Sequence, residues 1–135
     1  MPGDNASTVA VAAFVEFSQN GLASPGSGIV RAAMGASPNT FQLTAIGTYY
    51  VVFQVSVNEP GQLVLNLQGA PLADTVVGRA TGTSQLVGFA HIVTSVVNSI
   101  LAVQNPAGNS TALTVTPLAG GTSPVSARLS IRRVS

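Results

Sequence analysis

The chain has 135 residues, of which five are Arg, four are acidic and none is Lys, against 46% hydrophobic residues and a mean hydropathy of +0.46. An average soluble domain of this length carries about 34 charges, and nine are thin cover for the roughly 6,500 Å² that a monomer of this mass exposes. No apolar run approaches the ~20 residues of a membrane-spanning helix, one His with no Cys excludes structural zinc and disulfides, and Arg132-Arg133 is too small for a nucleic-acid footprint.

Extended segments and turn residues alternate along the chain, with no sustained helical period. Residues 8–18 place Val9, Val11, Ala13, Val15 and Phe17 on one face, and Asn20-Gly21 and Ser24-Pro25-Gly26 then break the run. Segments 28–34 and 40–45 follow on either side of Ser37-Pro38-Asn39. Next comes 48–58, which ends at Glu59-Pro60-Gly61. Segment 62–68 alternates Leu63, Leu65 and Leu67 up to Gly69. Further strands are expected over 72–80, 84–94, 99–104 and 110–116, with Asn105-Pro106-Ala107-Gly108-Asn109 as a turn. The last run, 124–134, sets Val125, Ala127, Leu129 and Ile131 against Ser126, Arg128, Ser130 and Arg132. Nine or ten short strands at intervals of roughly 8–12 residues predict a single all-β, two-sheet antiparallel sandwich over 8–135. Its simplest form is a jelly roll. Residues 1–7 read as a tail, and MPGDNASTVA lacks the basic start and apolar centre of a secretory signal.

Segment 48–57 is apolar on both sides. Tyr49, Val51, Phe53, Val55 and Val57 form one face, and Tyr50, Val52, Gln54 and Ser56 the other. A sandwich strand normally hides one face and wets the other. Bulky residues at Tyr50 and Val52 therefore predict a second cover, by a loop or by another subunit, and the low charge favours a subunit. The expected interface residues are Tyr50, Val52 and Gln54, joined by Phe89 and His91 on the segment 84–94.

Phe41, Gly47, Tyr49 and Phe53, followed by Gln54-Val55, form a pattern that resembles the signature strand pair of the C1q/tumour-necrosis-factor-like superfamily. Asn98–Val103 resembles a short strand of that superfamily, and 126–134 its closing strand. The wording Glu59-Pro60-Gly61-Gln62-Leu63, Thr81-Gly82-Thr83-Ser84-Gln85 and Asn105–Asn109 makes residues 41–135 similar to the C-terminal domains of BclA-like collagen-like surface glycoproteins of spore-forming bacteria. Val51 stands where the eukaryotic pattern prefers Phe, so the bacterial branch fits better. The resemblance implies a ten-stranded jelly roll that forms a homotrimer on a cell or spore surface (exosporium), capping a collagen-like stalk. Pro2-Gly3-Asp4 matches one step of such a stalk and no more.

Catalysis, cofactors and metals are not expected. His91 has only Asp4, Glu16, Glu59 and Asp74 as candidate acids, and no Gly-x-Ser-x-Gly elbow positions a serine. Four scattered acids give no spacing for a glycosidase pair. Asp74 alone, or Glu59 beside a Gly turn, does not supply the oxygen cluster that calcium needs. Arg79 and Arg128 are expected to pair with Asp74 or Glu59. The function read from the sequence is structural: a head that holds three chains in register. The alternative is a head that binds a host receptor or surface glycan, which would call for exposed aromatic residues beside polar groups.

Overall fold

A computed structural model describes residues 8–17, 26, 28–31, 39–81, 84–108, 111–116, 121–122 and 127–135. The tail at 1–7, residues 32–34, Val125 and Ser126 lie outside them. The described chain is an all-β sandwich in which every strand pairing is antiparallel. Eleven strands run in the order β1 (Thr8–Val9), β2 (Ile29–Arg31), β3 (Phe41–Leu43), β4 (Thr48–Val57), β5 (Gly61–Leu67), β6 (Ala70–Pro71), β7 (Val77–Arg79), β8 (Ser84–Val93), β9 (Ser99–Gln104), β10 (Leu113–Thr114) and β11 (Ala127–Arg133). Strand order is β11-β4-β8 in one sheet and β2-β3-β9-β5-β6 in the other, with β7 also on β5, while β1 and β10 pair separately. No helix of the described residues is long and apolar enough to cross a membrane.

Alternation builds the core between the two main sheets. Tyr49, Val51, Phe53, Val55 and Val57 of β4 are all buried, facing Leu43, Leu63, Leu65, Leu101 and Val103 of the other sheet. A one-residue slip of β4 would turn its whole apolar set outward, so the pattern fixes the register. Phe53 lies directly across from Gly88 on β8, and its ring occupies the place where a Gly88 side chain would be. The Tyr49 hydroxyl donates to the Ala45 carbonyl (2.7 Å), which lets a phenol sit fully buried. Gly47 is required for a different reason: a Cβ there would overlap the carbonyl of Ser135.

Two expectations are corrected. The run 8–18 is not one strand. Ala12 takes a left-handed φ of 68°, its N–H donates to the Asn105 carbonyl (2.8 Å), and Ala13 N–H closes a turn onto Ala10 O (2.9 Å). The kink exposes Val11 (38%) while Val9, Val15 and Phe17 stay buried. The buried Asn105 amide holds the turn, donating to the carbonyls of Val9 (3.0 Å) and Thr111 (3.3 Å).

The run 72–80 is also interrupted, by a 3-10 turn at Ala73–Thr75. Thr75 Oγ1 donates to Leu72 O (2.7 Å) and accepts the Leu65 N–H (3.0 Å), so one side chain replaces a ladder bond of β5. Only Val77–Arg79 continues as strand, and the strand number rises to eleven among the described residues.

The Phe53–Gly88 contact carries a test. Gly88→Ala is expected to lower unfolding stability by about 2 kcal/mol, the usual penalty for overpacking a filled core. Gly88→Val should cost more. An unchanged urea midpoint for both variants would contradict the packing described.

Candidate functional site

The register of the three-stranded sheet sets the outward side chains in rows. Arg132, Tyr50 and His91 form one row across β11, β4 and β8. Ser130, Val52 and Phe89 form the next, and Arg128, Gln54 and Val87 a third. All five residues singled out in the sequence therefore share one face. The Tyr50 and His91 rings lie 4.8 Å apart between centroids, tilted by 42°. The Arg132 guanidinium carbon is 6.0 Å from the Tyr50 ring centre on the other side, within reach of a cation–π attraction.

Cover is uneven across this face. Tyr50, Val52 and Gln54 are half-buried, because β4 is the central strand and side chains of β8 and β11 shade it. Ser56, at the far end of the same face, is buried. Sequence alternation leaves the cover of Tyr50 and Val52 to a loop or a second molecule. Their own sheet supplies part of it.

The open apolar surface sits one strand over, on β8. Phe89 is 69% exposed, Val93 70% and Val87 52%. Exposed valines continue into the next turn with Val96 and Val97. Val87 was not among the expected interface residues, although the alternation 87-89-91-93 carries the signal. Large contiguous apolar patches are uncommon on the surfaces of monomeric soluble proteins. The only charges that the three strands add to it are Arg128 and Arg132.

The residues weighed for chemistry lie apart from one another. His91 is on the outer face of β8, Asp74 is exposed in the 3-10 turn, and Glu16 follows the buried Val15. Glu59 sits in the turn between β4 and β5 with both oxygens engaged. Oε1 accepts the Thr114 N–H and Oε2 the Thr114 hydroxyl, each at 2.7 Å. Among the described residues no three of His, Cys, Asp or Glu are grouped to hold a metal ion.

Arg79 does reach Glu59, but at its main-chain carbonyl (3.1 Å), and it also donates to Thr81 O (2.9 Å). Arg128 lies exposed across from Gln54.

No family model matches the chain, and no curated protein shows significant similarity to it.

Partial burial pushes the Glu59 carboxyl upward, but hydrogen bonds from Thr114 N–H, the Thr114 hydroxyl and its own N–H outweigh this. The net value is held below the ordinary 4.5. A lowered carboxylate contributes stability that is fully present above the unfolded-state value and is lost as pH falls through the folded-state value. Thermal unfolding followed from about pH 7 to about pH 3 should therefore show a loss of stability that begins near pH 4.5. Glu59→Gln should be less stable near neutrality and show a shallower acid loss. Identical acid profiles for the two proteins would contradict the role given to the Glu59–Thr114 pair.

Proposed function

We propose that this chain is an assembly head: a C1q/tumour-necrosis-factor-like jelly roll that forms a homotrimer through the outer face of β4 and β8. On this reading it serves a BclA-like, collagen-like protein of a cell or spore surface (exosporium) and holds three chains in register. The observation that carries the proposal is the exposure of Phe89, Val87 and Val93 beside the half-buried Tyr50 and Val52.

Burying apolar area is worth about 25 cal/mol per Å². Aromatic side chains at the centre of a patch are the usual anchors of an interface. Closed threefold symmetry would satisfy the surface without open-ended association. The order of strands supports the jelly-roll part of the reading. From β3 to β4, β4 to β5 and β8 to β9 the chain crosses between the two sheets, and β11 returns to lie beside β4. The residues behind the family resemblance have structural work of their own. Tyr49 and Phe53 are buried in the core, Phe41 packs against it, and Gly47 gives room to Ser135.

Native mass tests the proposal. Light scattering should give three times the 13.5 kDa chain mass. Phe89→Asp should give a monomer with an unchanged far-ultraviolet spectrum, because its side chain is not in the core of the single chain. Val52→Asp and Tyr50→Asp should also dissociate the assembly. A wild-type protein that stays monomeric, or a Phe89→Asp protein with the native mass, would contradict the proposal. Monomers that bind a glycan array would favour the alternative reading as a ligand-binding head.

A further inference from the structure

We propose that His91 makes this assembly acid-labile, an inference that rests on the outer face of β4 and β8 being the contact between copies. His91 lies in the middle of that face, between Phe89 and Val93 along its strand and opposite Tyr50 across the ladder. A copy seated over both Phe89 and Val93 would cover the imidazole between them.

The charge around it is one-sided. Strand β4 presents Tyr50 to His91, and β11 adds Arg132 over the far side of the same ring, with Arg128 farther along. None of β4, β8 or β11 contains an acid. Strand β8 also packs near β7 and the 3-10 turn, which carry Arg79 and Asp74. The Arg79 guanidinium is directed to the carbonyls of Glu59 and Thr81, and Asp74 is exposed.

A buried imidazolium is costly without a partner carboxylate, and a neighbouring guanidinium adds to that cost. The covered form of His91 is therefore the neutral one. In a single chain the ring is exposed to water. Proton uptake then favours the separate chains, and it does so three times over in a threefold assembly. Free imidazole takes up its proton near pH 6.5. One pH unit below that, each subunit weakens association by up to about tenfold, and a trimer by up to about 10³-fold. Stability of the single fold is not involved, since the acid loss from Glu59 begins about a unit lower.

Native mass measured at about pH 8 and about pH 5.5 for wild type and His91→Gln tests this. The expected result is a wild-type trimer at the higher pH, monomer at the lower, and a His91→Gln trimer at both, with strand-type circular dichroism throughout. A wild-type trimer at both values would overturn the inference and leave the assembly proposal intact. Equal dissociation of wild type and His91→Gln at the lower pH would overturn the assignment to His91. Loss of the strand spectrum at the lower pH would do the same, since unfolding would then account for the dissociation. A wild-type monomer at pH 8 would remove the assembly itself.

Discussion

Strand β4 is held on both sides, by β8 from Thr48 to Val57 and by β11 from Tyr49 to Val55. Its two faces meet different worlds. Tyr49, Val51, Phe53, Val55 and Val57 close the core, whereas Tyr50, Val52 and Gln54 stand in the outer rows. Because side chains alternate strictly along a strand, the register that buries the first set also fixes the position of the second. The composition of the outer face is thus tied to the packing of the inner one. Gly88 is part of the same constraint, since only a residue without a side chain leaves room for the Phe53 ring.

Neighbouring strands divide the outer face into two characters. On β11 it is polar and cationic, with Arg128, Ser130 and Arg132 exposed. On β8 it is apolar, with Val87, Phe89 and Val93 open to solvent. Tyr50 joins the two halves, with Arg132 on one side and His91 on the other. A chain with so few charges has placed Arg128, Arg132 and His91 together on this one face. That arrangement links the proposed assembly to pH through the residue that lies among the apolar ones.

Much of this was legible in the residues. Strand β9 matches its alternation pattern end to end. β4 and β8 differ from theirs by only a residue at the C-terminal end, because each carries a long period-2 pattern and ends at a turn. The shared face of Tyr50, Val52, Gln54, Phe89 and His91 needed one further fact, the pairing of β4 with β8, which alternation alone does not supply. The strands that were misread are those whose shape is set by distant side chains. No turn residue announces the bend after Ala10; it depends on Asn105, far along the chain. The break after Pro71 likewise depends on Thr75 capturing the Leu65 N–H. Pattern reading treats a strand alone and so does not supply the shading that flanking strands give Tyr50 and Val52 on a central one.

The measurement that bears most directly on the account is oxidative footprinting of Phe89 as a function of protein concentration. If a second copy covers this face, the Phe89 ring will resist hydroxyl-radical labelling at high concentration and become labelled on dilution, together with Tyr50. Equal labelling of Phe89 at every concentration, at the level of a freely exposed ring, would mean that no copy sits there.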